Sequence, residues 1–230
     1  MPAPPSTAVG RLYYGRHRLT FRVGTYLALV RMMGIAHLVT RLYGHARLVA
    51  ETEARLARTR QTVRDLVCEG FDAPAGRAAV ARLRAVHRPV AADPEDYRYV
   101  LGTFFLEPLR WNHAHGRVRL DADEQRLLLD FWLRVGAEMG LADLPATLPA
   151  WRALQRDYET RHLAASQEGR ALAALCLRDV VKLTVPPLMR APFRHLMVAT
   201  MEPAVRDALG VAPPGWSARL AASALARLSG

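Results

Sequence analysis

Arg58, Gln61 and Thr62 lie three and four positions apart, so on a helix they project from one face. Together they could donate hydrogen bonds to an oxygen on which charge is building, with Arg58 charged at any pH and Gln61 offering only a neutral amide. On an outward face the same set is merely solvated, so the chemistry needs this face turned inward. His87 follows Leu83 by four residues and Val80 by seven, which puts it on the apolar side of its helix. A neutral imidazole there is either a hydrogen-bonded core residue or an axial ligand to haem iron in an apolar pocket. His113 and His115, two apart in Trp111-Asn-His-Ala-His-Gly116, suit loop hydrogen bonding, a second metal or contacts to haem propionates. Arg110 suits a propionate or an ion pair with Glu107. His37 and His45 could line a pocket, while His17, His162 and His195 read as surface or partly buried, and Trp132 as core.

These residues stand in an order that resembles a known family. Arg58-Thr-Arg-Gln-Thr62, followed by a helix ending in Arg84-Ala-Val-His87, is similar to the R-x-x-x-T and downstream His of the MpaB-like and latex-clearing oxygenases. Leu101-Gly-Thr-Phe-Phe-Leu-Glu-Pro-Leu-Arg-Trp111 resembles a second segment of that family. So does the run from Glu124 through Phe131 and Trp132 to Met139-Gly-Leu-Ala-Asp-Leu-Pro145, and the likeness covers roughly residues 25 to 220. The resemblance implies a globin-like helical fold holding haem b, with His87 as the proximal ligand and a distal Arg58 and Thr62. Known members use dioxygen to cleave isoprenoid double bonds. Two positions depart from the pattern: Gln61 stands where latex-clearing members have Lys, and Val90 where a Tyr often follows the His. Losing the Lys removes a proton source, which leaves epoxidation, hydroxylation or cyclisation open as outcomes.

The elements that must position these residues are helical. Apolar residues recur every three or four positions, and no bounded run alternates as a strand would. Residues 19–43 read as one or two helices with Tyr26, Leu27, Val30 and Met33 buried. A second helical region covers 45–69 and ends at Gly70, and a third covers 74–88 before Pro89. Asp93-Pro-Glu-Asp96 is a start signal for a helix that Pro108 interrupts. Asp121-Ala-Asp-Glu124 starts another, over 127–139. Later helices are expected over 149–161, 166–183, 187–201 and 216–228. The chain therefore reads as a flexible segment, residues 1–18, and one all-α domain, residues 19–230.

Composition narrows the partners. The net charge of +11 would suit nucleic acid or anionic lipid, but the arginines are dispersed and often near acids, with no basic block carrying interleaved aromatics. No apolar run is long enough to span a bilayer, and no secretory signal opens the chain, so a cytoplasmic address is expected, with peripheral membrane contact open. Cys68 and Cys176 read as reduced core residues. The leading reading is a haem b-dependent oxygenase using dioxygen on an apolar small molecule of isoprenoid or natural-product type, in a mostly apolar pocket running from the first long helix to the Val100–Phe105 segment. Its competitors are a haem- or ligand-binding protein without turnover, an iron-free cyclase of the same family, and a basic nucleic-acid-binding protein.

Overall fold

A computed structural model describes residues 5–43, 52–88 and 93–216. Among them the chain forms eleven α-helices and no strand. These are α1 Ala8–Tyr14, α2 Arg18–Arg31, α3 Ala36–Tyr43, α4 Thr52–Glu69, α5 Pro74–His87, α6 Pro94–His115, α7 Ala122–Glu138, α8 Leu148–His162, α9 Gln167–Thr184, α10 Arg190–Thr200 and α11 Pro203–Ala208. None of them is long and apolar enough to cross a membrane. The all-α reading holds. His45, Val90 and the helix expected at 216–228 fall wholly or mostly outside the described residues.

Local signals set most helix starts. The Asp121 side chain accepts from the Glu124 N–H at 2.9 Å while the Glu124 carboxylate accepts from the Asp121 N–H at 3.0 Å, a reciprocal cap on α7. Asp96 likewise accepts from the Asp93 N–H at 3.3 Å, and Ser166 caps α9 through the Gly169 N–H at 3.0 Å. The region 19–43 divides because the chain leaves helical geometry at Ile35, whose φ of −103° and ψ of 100° let it bridge Leu163.

Two expectations fail for packing reasons. Pro108 does not end its helix: α6 runs through it to His115. A proline costs its own N–H bond and a steric clash, but here its ring lies directly on α2. A Cβ placed at Gly24 would stand 2.4 Å from the Pro108 Cα, so the two backbones are already in contact. α2 and α6 form the most extensive helix pairing among the described residues. Of the segment 1–18, expected to be flexible, the described part from residue 5 is packed: Val9, Leu12 and Tyr13 of α1 are buried in the main core. Tyr13 stacks on Phe21 at 4.0 Å, and its hydroxyl accepts from the Trp132 indole at 3.1 Å. The three-and-four spacing of these apolar residues outweighs the Pro- and Ala-rich start.

A buried ion network joins distant parts of the chain. Arg31 pairs with Glu107 at 2.6 Å, Glu159 at 2.5 Å and Glu202 at 2.7 Å, and Arg110 also holds Glu107 at 2.9 Å. The Tyr99 hydroxyl donates to Glu159 at 2.9 Å. A second network places Asp96 between His37 at 2.9 Å, Arg41 at 2.5 Å and the Tyr158 hydroxyl at 2.5 Å. His17, expected at or near the surface, is only 2% exposed and meets Glu124 at 3.3 Å.

Candidate active site

α4 and α5 run against each other, bringing the start of one to the end of the other. His87 is the last residue of α5 and is half-buried. Its Nδ1 lies 2.8 Å from the Leu83 carbonyl oxygen, and that acceptor requires Nδ1 to carry the hydrogen. Nε2 is then left with its lone pair. The Tyr97 ring meets the imidazole edge-on at 5.9 Å, and the Tyr97 hydroxyl donates to the His87 carbonyl at 3.1 Å, so the residue is held from two sides. Burial pushes the imidazole pKa below the usual histidine value; the Leu83 carbonyl partly opposes this, and the nearby Arg55 charge adds to it. A neutral, oriented imidazole with an open Nε2 has the chemistry of an axial ligand to a porphyrin iron. Among the described residues no group of three or more His, Cys, Asp or Glu could hold a metal ion.

The sequence-derived set on α4 divides. Thr62 is half-buried, while Arg58 and Gln61 are exposed, so the face expected to turn inward does so only at Thr62. The Gln61 amide donates to Asp65 at 2.6 Å, and Asp65 also takes Arg82 of α5 at 2.5 Å. Gln61 therefore belongs to a bridge between the two helices. Arg55 was not singled out from the sequence. It is half-buried, its charge acts on His87, and no carboxylate among the described residues pairs with it. The signal was present: Arg55 precedes Arg58 by three positions and Thr62 by seven, on the same helix face.

Arg110 and His113 do not join this site. Tyr97, which touches His87, and Arg110 are thirteen residues apart on α6, about 20 Å along the helix axis. Arg110 is committed to Glu107 and to the Thr200 carbonyl at 3.0 Å. His113 is exposed, with Arg119 at 2.7 Å from its Nδ1, and both it and His115 sit in the last turn of α6 rather than in a loop. His37 is bound into the Asp96 network and packs against His162 at 5.0 Å. Cys68 and Cys176 are free and buried, and burial pushes the Cys176 thiol up to about 12.

Phe104, two turns beyond Tyr97 on α6, lines a cleft of about 90 Å³ between α1, α2, α4 and α6. Tyr13, Tyr14, Phe21 and Tyr26 complete its aromatic wall, with Leu29, Leu56 and Val63 as aliphatic neighbours. No acid lines it. The cleft lies where an apolar pocket was expected, between the first long helix and Phe104, but three arginines that the sequence reading did not anticipate, Arg18, Arg22 and Arg60, face it. His87 lies outside its lining.

Residues 13–230 match the family model described as ER-bound oxygenase mpaB/B'/rubber oxygenase, catalytic domain. No curated protein matches the chain.

Proposed function

The chain belongs to the MpaB and rubber oxygenase catalytic-domain family, and from that premise we propose that it is a haem b-dependent oxygenase acting on an apolar small molecule. The observation that carries the cofactor is His87: its Nδ1–H is spent on the Leu83 carbonyl at 2.8 Å, which fixes the ring and keeps Nε2 available for iron. When bound, haem supplies an iron at which dioxygen is activated. This chain's own groups then do four things. His87 holds the cofactor from the end of α5. Tyr97 steadies the imidazole and the backbone that carries it. Arg55 offers a cation to a cofactor carboxylate. Arg58 and Thr62 provide donors from α4 to an oxygen gaining negative charge. The acid-free aromatic cleft at Phe104 supports an apolar substrate.

The test is the absorption spectrum of purified protein, reconstituted with haem where needed. A Soret band is expected in the wild type and absent in His87→Ala, with iron analysis on the same samples reporting the same loss. No band after reconstitution of the wild type would reject haem dependence.

A further inference from the structure

We infer that the cleft at Phe104 takes an apolar molecule that ends in a carboxylate, with Arg18 and Arg22 holding the anionic end; this deepens the proposed oxygenase reading by naming the substrate class.

Among the described residues that line the cleft, the cationic side has no counter-charge. Arg22 is half-buried; burial pushes its pKa down, and the like charges of Arg18 and Arg60 add to that, with Tyr26 and Tyr14 opposing them. Neither the Arg18 nor the Arg22 guanidinium makes an ion pair or hydrogen bond with any described residue. Three guanidiniums gathered without a carboxylate repel one another, and a bound anion relieves that repulsion. A carboxylate also matches the guanidinium fork. One turn further along α2, the Thr25 hydroxyl is buried without a hydrogen-bond partner. A serine or threonine inside a helix commonly satisfies its hydroxyl on a backbone carbonyl, so an unspent donor beside two free arginines points to an acceptor brought by a ligand.

Room for the apolar part lies on both sides of the same arginines. Arg18 and Arg22 line the aromatic cleft and also a second one of about 170 Å³, walled by Leu19, Val185, Phe193 and Leu196. Met189 stands at its rim, next to Leu188, which is 88% exposed. The anionic end therefore sits at the junction, and the chain extends along apolar walls toward Phe104, which shares its side of α6 with Tyr97 and hence with His87. Tyr97 and Phe104 are seven residues apart, about 10 Å of helix axis. An acid anchored at Arg22 can present its far end to that neighbourhood.

The test is titration calorimetry on the full chain with sodium octanoate, octan-1-ol and inorganic phosphate. Octanoate should bind, and more tightly than octan-1-ol. Arg22→Met and, independently, the exposed Arg18→Met should weaken octanoate by about 10- to 100-fold, the scale of losing a charge-assisted hydrogen bond. Octan-1-ol binding should be unchanged in both. Phosphate should bind far more weakly than octanoate, because it leaves the apolar walls empty. Equal affinity for acid and alcohol, phosphate binding as tight as octanoate, or insensitivity to both arginine variants would overturn the inference. So would binding to anionic vesicles in the absence of any octanoate affinity, which would make the arginines a membrane contact. Because this readout needs neither haem nor turnover, octanoate binding in a chain that shows no Soret band would reject the cofactor reading alone. A haem-loaded chain that fails to prefer the acid would reject the substrate class alone.

Discussion

Gly24 on α2 and Pro108 on α6 touch backbone to backbone: a Cβ at position 24 would lie 2.4 Å from the Pro108 Cα and 2.7 Å from its nitrogen. Neither atom can swing away as the end of a side chain could. Gly24→Ala should therefore push the closely packed α2 and α6 apart, costing at least about 3 kcal/mol, the upper range for overpacking. Gly215→Ala, where the added carbon meets nothing within 4 Å, should change stability by less than about 0.5 kcal/mol. Urea unfolding midpoints compare the two. Equal midpoints would show that α2 and α6 can separate freely.

Arg31 neutralises carboxylates that have little water around them, since Glu107 is buried and Glu159 nearly so. Burial pushes the Glu107 carboxyl up, and the guanidiniums of Arg31 and Arg110 more than offset that, leaving it below the ordinary range. Arg31→Met should cost about 3–5 kcal/mol at neutral pH, the scale for breaking a buried ion pair from one side.

The pH dependence separates this from a simple packing loss. In the wild type the Glu107 pKa is lower folded than unfolded, so its stabilisation is complete above the unfolded value near 4.5 and is lost as pH falls through the folded value. In Arg31→Met burial has less opposition, the folded pKa rises, and protonation becomes favourable in the folded state. The stability gap between variant and wild type should narrow from pH 8 to pH 5. A gap that stays constant would mean that Glu107 does not feel Arg31.

What could be read from the sequence was what is local. The caps at Asp121 and Ser166 involve residues three apart, and both helix starts were visible there. The partial burial of His87 followed from its spacing to Leu83 and Val80 on one helix face. By contrast, Arg31, Glu107, Glu159 and Glu202 meet across as many as 171 positions, and no periodicity links them. Pro108 misled because its local cost is real and only its contact with Gly24 explains why the helix continues. In the candidate site, the spacing of Arg58, Gln61 and Thr62 correctly put them on one helix, but spacing alone does not say which of them faces inward. Arg55 went unnoticed because its importance comes from His87, on another helix.

Gln61→Lys restores the residue that latex-clearing oxygenases carry, yet the side chain here leans on Asp65 at 2.6 Å on an exposed face. A lysine at 61 should keep that contact as an ion pair, changing stability by no more than about 0.5 kcal/mol. Turnover per haem should stay within about twofold of wild type, the range expected for a group that does not touch the reacting atoms. A tenfold change in single-turnover rate would return Gln61 to the reaction.

Arg55 and Arg58 sit three positions apart on α4, and the proposed cofactor gives them different work. Arg55 is half-buried, its charge reaches His87, and no described carboxylate meets it. A cofactor carboxylate would supply the missing counter-charge, so Arg55→Leu should lower haem retention by about 10-fold, the scale of one lost charge-assisted bond. The haem that remains should turn over normally. Arg58 lies closer to Thr62 along the helix, and its charge is proposed to act on oxygen or substrate. Because Arg58 is exposed rather than held in a dry site, Arg58→Ala should keep haem stoichiometry near wild type and lower the rate by about 10-fold, the scale of one lost charge-assisted bond. Haem content per chain and turnover per haem, measured on both variants, separate the roles. If Arg58→Ala loses haem while its activity per bound haem is kept, Arg58 is the anchor and the donor must be sought elsewhere, with the Thr62 hydroxyl next to be replaced.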